Sequence, residues 1–169
     1  FDDFGQAIGV DNDGSSLNYF FPGARLRRTP GESLTAPLII DGKPKYCGVE
    51  YLSGRHVAEA DRGRLICCDF RAHRICRYDV KEAGAGYAPV EVEPLLSSTN
   101  TAFRPVDVKM GPDGAVYVCD WYNPIINHGE VDFRDPRRDR THGRIWRIVH
   151  KTHPQVKRPL LEEIGRAHV

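Results

Sequence analysis

A glycine, a short apolar run and a closing aspartate recur three times along the chain, and this repeat limits the fold more than any other feature. The copies read GQAIGVD from Gly5 to Asp11, GRLICCD from Gly63 to Asp69 and GAVYVCD from Gly114 to Asp120. The apolar runs are too short for helices and read as strands. A spacing of roughly fifty residues leaves room for about four short strands per unit, which suits a radial β-repeat better than a helical array.

The flanking residues repeat as well. After the second and third copies come HRICRY, His73 to Tyr78, and GRIWRI, Gly143 to Ile148; before them lie CGVEYL, Cys47 to Leu52, and RPVDVKM, Arg104 to Met110. All four read as strands. A further strand is predicted over 88–96, where Val90 and Val92 alternate with Glu91 and Glu93. Pro112, Asp113 and Gly114 supply the chemistry of a tight turn between two extended segments. The uninterrupted apolar runs Leu65 to Cys68 and Ala115 to Cys119 predict strands covered on both faces. A β-sandwich is the competing architecture, and the repeat favours the propeller.

The expectation is therefore all-β: a partial β-propeller of about three consecutive blades of a larger ring. Residues 1–41 would form an incomplete blade, 42–102 a second, and 103–151 a third carrying a long loop at 120–142. A linker follows at 152–162. The last seven residues, EIGRAHV (163–169), match an in-frame translation of a common sequencing adapter and are set apart as an artefact. The chain begins with Phe1, and no charged start followed by an apolar stretch marks a leader or a membrane span, so it is expected to begin within a longer protein.

Composition narrows the function classes. Against 24 basic side chains stand 23 acidic ones, for a net charge of +1, so no global field recruits nucleic acid or anionic lipid. The five cysteines are Cys47, Cys67, Cys68, Cys76 and Cys119, with no CxxC spacing. They form no recognisable metal set and read as small buried hydrophobes, with a disulfide between neighbouring strands left open. GxSxG, a phosphate loop, HExxH, an EF-hand and CxxCH are all absent from the sequence.

Antiparallel order sorts the loops. Segments entering the first strand of each unit and those leaving the second share one end, which joins Tyr46, Cys47, Arg104 and Pro105 with Asp69 to His73, including Arg71, and with loop 120–142. His56, in the hairpin between, falls at the opposite end. The loop, DWYNPIINHGEVDFRDPRRDRTH, is long for a connection between adjacent strands. His128 and His142 can accept protons near neutral pH, with Asp120, Glu130, Asp132, Asp135 and Asp139 to orient them or hold a hard cation. Arg134, Arg137, Arg138 and Arg140 can grip a carboxylated cofactor or substrate. Trp121 and Tyr122 can stack on a planar ring or a sugar. The same interleaved charges can equally make a loop that holds itself in shape. Asp120 has such a structural reading too, since an aspartate recurring at strand ends caps backbone amides. Asp139 interrupts the arginines and argues against binding to a phosphate backbone.

From Phe103 to Ile148 the sequence closely resembles the propeller domain of the PVC-type haem-binding CxxCH proteins, labelled membrane-bound dehydrogenases. FDDFGQA near the start, PKYCGVEYLSGRH at Pro44 to His56 and CDFRAHRI at Cys68 to Ile75 resemble further parts of that domain. This family is similar to quinone-dependent glucose and sorbosone dehydrogenases. The resemblance implies an exported, periplasmic dehydrogenase-like protein that oxidises a sugar or alcohol and passes electrons to a c-type haem in a cytochrome domain beyond this chain. It implies pyrroloquinoline quinone held with calcium on the propeller's top face, beside a histidine base and arginines. On that reading His128, His142 and Asp120 are the catalytic candidates, and Tyr46, Arg71, Arg104, Trp121, Arg137 and Arg138 contact the cofactor. Tyr46 and Arg104 stand where the related enzymes would place a histidine at the entrance to an innermost strand. The alternative is a non-catalytic propeller that binds a glycan or protein through the same rim.

Overall fold

The computed structural model describes residues 5–11, 16–20, 23, 36–39, 45–84 and 86–153. The linker expected at 152–162, apart from its first two residues, and the segment 163–169 lie outside them. The protein is all-β, and its described residues form three antiparallel sheets, none of them closed. The first holds β1 (Ala7–Asp11), β2 (Ser16–Phe20) and β3 (Ala36–Ile39) in that order. The second holds β4 (Tyr46–Tyr51), β5 (Leu65–Asp69), β6 (Arg74–Ala83) and β7 (Gly86–Ser97). The third holds β8 (Pro105–Met110), β9 (Val116–Asp120) and β10 (Arg144–Ile148). Each sheet is a meander in which every strand pairs with its neighbour in sequence.

The thrice-repeated motif reappears as backbone geometry. Gly5, Gly63 and Gly114 have φ of 79°, 80° and 81°, a conformation that a side chain would strain, and each stands two residues before a strand. That equivalence aligns β1 with β5 and β9. It follows that β2 corresponds to β6 and β10, β3 to β7, and β4 to β8.

The middle sheet has a core on each face. Leu65, Cys67, Cys76 and Tyr78 pack with Tyr46 and with Ile8, Leu17 and Tyr19 of the first sheet. Ile66, Cys68 and Ile75 point the other way, onto Val108, Val116 and Val118 of the third. Alternation along β5 thus feeds two cores, and all five of its residues are buried, as its unbroken apolar run predicts. Strand β9 departs from the same expectation. Val116 and Val118 are covered by the middle sheet, but Cys119 on the other face is exposed, and its cross-strand partner Ile145 is 73% exposed. No described layer lies on that face. Trp146 shares the covered face with Ile148, but at 44% exposure it sits at the sheet's edge, outside the core.

Strand β4 lies between β1 and β8. The approach of β4 to β8 is close enough that a Cβ on Gly48 would stand 2.6 Å from the Asp107 Cα. Lys109 Nζ donates to the Val49 carbonyl across this contact at 3.2 Å. Among the described residues no helix is long and apolar enough to cross a membrane.

Candidate functional site

Strand direction collects the entrance to β4, the β5–β6 turn, the approach to β8 and loop 120–142 at one end of the sheets. His56 lies at the other end, where its amide donates to the Gly114 carbonyl at 3.3 Å.

Two aspartates tie this end together in the same way. Asp69 Oδ1 accepts the Lys45 amide at 3.1 Å and the Ala72 amide at 3.2 Å, while Oδ2 meets Arg74 Nε at 3.4 Å. Asp120 Oδ1 accepts the Arg104 amide at 2.8 Å and the Tyr122 amide at 2.9 Å, and Oδ2 accepts Trp146 Nε1 at 3.1 Å with Arg144 at 3.9 Å. Each carboxylate therefore joins the residue before a first strand, the turn after its own second strand, and the start of the third. Both are buried. The side chain of Asp11 lies outside the described residues. A carboxylate so fully engaged is a structural staple, which is the structural reading of Asp120 made from sequence.

Arg104 is buried at 5% exposure and has no carboxylate partner among the described residues. Its Nε donates to the Asn123 carbonyl at 2.9 Å, NH1 to those of Phe70 and Arg71 at 2.9 and 3.3 Å, and NH2 to that of Pro124 at 3.0 Å. His73 Nδ1 stands 2.9 Å from the Phe103 carbonyl and 3.2 Å from Arg104 NH1. Burial pulls the guanidinium below its ordinary pKa. Arg104 was expected to contact a cofactor; its donors instead brace the β5–β6 turn against the long loop. Tyr46 requires a correction of the same kind. Although it opens β4 at the rim end, its side chain turns into the core, 2% exposed, with its hydroxyl 2.5 Å from that of Tyr78. Burial raises the pKa of both phenols.

Loop 120–142 is shaped by its acids and amides. Asp120, Asn123, Asp132, Asp135 and Asp139 each accept the amide two residues on, at 2.7–3.1 Å, so the loop is a chain of side-chain-capped turns. Arg138 gathers four carbonyls, those of Asn127, His128, Val131 and Asp132, at 2.8–3.1 Å. Arg137 closes a two-pronged pair on Asp135, and Arg140 reaches the Phe133 carbonyl. The Arg137 guanidinium and amide hold the Asp135 pKa down to about 2. Amides of Thr141 and His142 hold that of Asp139 at about 2. Tyr122 takes φ of 53°, with the Arg144 guanidinium 3.6 Å above its ring centre and His142 edge-on to it.

The loop encloses an open cavity of about 580 Å³, lined by Ala102, Tyr122, Pro124 and residues 134–141. Arg137 and Arg138 stand in its wall with Arg134 and Arg140, against two carboxylates, Asp135 and Asp139. His142 lies at its margin, Nδ1 2.7 Å from Asp139 Oδ2. Trp121 is 43% exposed, and Arg71 and His128 are also exposed at this end, outside the cavity wall. The structure thus brings Arg137, Arg138 and His142 together and separates them from Tyr46, Arg104 and Asp120. His73 falls at the rim end expected from sequence, whereas Asn123 was given no role there. Asn123 carried a legible signal, an Asn opening a loop beside a proline, and it is buried with Nδ2 donating to the Asp139 carbonyl at 3.0 Å.

Calcium fits this donor set poorly. Among the described residues no three His, Cys, Asp or Glu side chains converge as metal ligands, and the loop's aspartates turn their oxygens to backbone amides.

The chain is in class an all-β protein of successive antiparallel meanders with one self-braced loop at the rim. A family model described as "Domain of unknown function (DUF7133)" matches residues 40–152, and the protein belongs to that family. No curated protein and no solved structure matches the chain.

Proposed function

We propose that this chain is part of a β-propeller and that its loop 120–142 forms a ligand-binding rim for a small anionic sugar or the acidic end of a glycan. The propeller reading is supported by three meanders stacked face to face in sequence order, with β4 set between β1 and β8. One observation carries the ligand: a cavity whose wall holds four arginines and two aspartates. Of these, Arg134 donates its backbone amide to Asp132, and its guanidinium, with no partner among the described residues, can take an incoming carboxylate. Trp121, exposed on the same loop, offers a face for stacking.

A second reading has a specific observation behind it. His142 is oriented by Asp139 through Nδ1, so Nε2 is the atom that would take a hydroxyl proton from a sugar or alcohol. With the resemblance described above, this makes the domain a dehydrogenase of an exported protein that passes electrons to a haem domain outside the chain.

One experiment on the full-length protein separates the two. Acidic and neutral sugars are titrated calorimetrically into parent and Arg134→Gln protein, and dye reduction is assayed with and without added quinone and calcium. The binding reading expects acidic sugars to bind and Arg134→Gln to weaken them about tenfold, the worth of one charge-assisted contact. Equal affinity for acidic and neutral sugars, or no effect of the variant, would overturn it. Dye reduction that is lost in His142→Ala and kept in His56→Ala supports the dehydrogenase; equal turnover in both removes His142 as the base.

A further inference from the structure

Four of the five cysteines sit in directly opposed cross-strand positions of the middle sheet. Cys67 of β5 faces Cys76 of β6, and Cys47 of β4 faces Cys68 of β5. Because side chains alternate along β5, the pairs occupy opposite faces: Cys67 and Cys76 both lie in the core shared with the first sheet, Cys68 and Cys47 on that shared with the third. Residues directly opposed in an antiparallel pair have Cα atoms about 4.5–5.5 Å apart, inside the range of about 4.4–6.8 Å that a disulfide spans. The two pairs differ in where their sulfurs point. In the structure Cys67 and Cys76 are free thiols, both fully buried, with Cys76 the side-chain hydrogen-bond partner of Cys67. Cys47 Sγ turns instead to the Pro105 carbonyl at 3.4 Å, beside a bulge that shifts the β4–β5 register.

We propose that Cys67 and Cys76 form a cross-strand disulfide joining β5 to β6, while Cys47 and Cys68 remain thiols. The bond forms by thiol–disulfide exchange with a disulfide oxidant of the glutathione type. Two S–H bonds break and one S–S bond forms in the protein; the two protons and two electrons pass to the oxidant, whose S–S bond breaks to give two thiols. Burial raises the pKa of the Cys67 thiol, so exchange belongs to the folding chain, before β5 is covered. Once formed, the bond is shielded from reductants by the first sheet. It is independent of the proposed rim ligand and is at home in an oxidising compartment.

The test refolds the full chain in oxidised and reduced glutathione, blocks free thiols, digests with trypsin without reduction and maps the linked peptides. Cleavage after arginine and lysine places Cys67 and Cys68 on 65–71, Cys76 on 75–77 and Cys47 on 46–55. The expected product links 65–71 to 75–77, persists in Cys68→Ser and disappears in Cys67→Ser. It also raises the thermal midpoint above that of the reduced parent by several degrees, a gain that Cys76→Ser lacks. Because the parent yields both the peptide map and the midpoint, a variant that fails to fold does not leave the question open. Full alkylation of Cys67 and Cys76 after oxidative refolding, or a link from 46–55 to 65–71 in their place, would overturn the assignment.

Discussion

Replacing Asp120 by alanine separates a structural carboxylate from a catalytic one. The side chain is 3% exposed and takes the Arg104 and Tyr122 amides on one oxygen. Its loss strands two amides that are poorly reached by water, at about 1–3 kcal/mol each. The Trp146 indole, on the other oxygen, is 44% exposed and finds water instead, so it adds little. The expected destabilisation is about 3–4 kcal/mol, a large share of the 5–15 kcal/mol typical of a folded domain. Asp120→Asn keeps one acceptor oxygen for the two amides and gives up the exposed Trp146 bond and the charge facing Arg144, so it should cost about 1 kcal/mol. Asp69→Ala is the internal replicate, and its longer bonds of 3.1 and 3.2 Å place it nearer about 2 kcal/mol.

Urea unfolding followed by tryptophan fluorescence ranks the three variants, since Trp121 and Trp146 both adjoin the staple. Amide exchange then tests the cause: protection should fall at Arg104 and Tyr122 in Asp120→Ala and at Lys45 and Ala72 in Asp69→Ala. The reasoning fails if Asp120→Ala stays within about 0.5 kcal/mol of the parent, the range of an ordinary surface change, with the Arg104 amide still protected.

Two further outcomes follow from the geometry. Asp135 and Asp139 have folded pKa values lowered to about 2, so what they contribute is fully present above their ordinary pKa near 4 and is lost as pH falls toward 2. Trp121 fluorescence and loop amide exchange should therefore be flat from pH 7 to about 4 and change below it; a transition centred near pH 6 would contradict this. In a denaturant series, Gly63→Ala has open space around its new methyl and should cost only the strain of φ at 80°, about 1 kcal/mol, whereas Gly48→Ala meets the Asp107 backbone at 2.6 Å and should cost about 3 kcal/mol or prevent folding. Equal costs would show that β4 and β8 are not closely apposed.

The sequence was legible where backbone chemistry dictated the residue. A glycine at positive φ and an aspartate that must accept amides leave few substitutes, so the repeat identified three strands and the end of the sheets where the loops gather. Strand limits followed closely: Cys47 to Leu52 was expected, and the strand runs over Tyr46–Tyr51. Side-chain direction was less accessible. Position at the start of β4 says which end Tyr46 occupies, but register across the Cys47/Val49 bulge decides which face it takes, and that face is core. The apolar run of β9 misled for a related reason. Hydrophobicity records what a strand can bury, whereas coverage depends on a neighbouring layer, and only one face of β9 has one among the described residues. Within loop 120–142, composition could not say which acids meet arginines and which cap amides. The Asp-x spacing before Arg134, Arg137 and Thr141 is the signal that would have shown it.

Arg104 shows why the rim should be regarded as shaped before anything binds. A buried guanidinium without a carboxylate is costly unless its donors are met, and here backbone carbonyls from two separate loops meet them. Satisfying that one side chain requires residues 70–71 and 123–124 to stand at fixed positions, while the Asp120 staple fixes the same loop at its root. Arg138 repeats the device further out, drawing four carbonyls of 127–132 around one cation. Much of the loop's charge is thus committed to its own backbone, so a ligand meets a wall whose ordering entropy was lost during folding. On the proposed reading, recognition rests on Arg134, whose guanidinium has no partner among the described residues, together with the Nε2 of His142. This is why the two readings of the site differ only in whether a proton moves once the ligand is held.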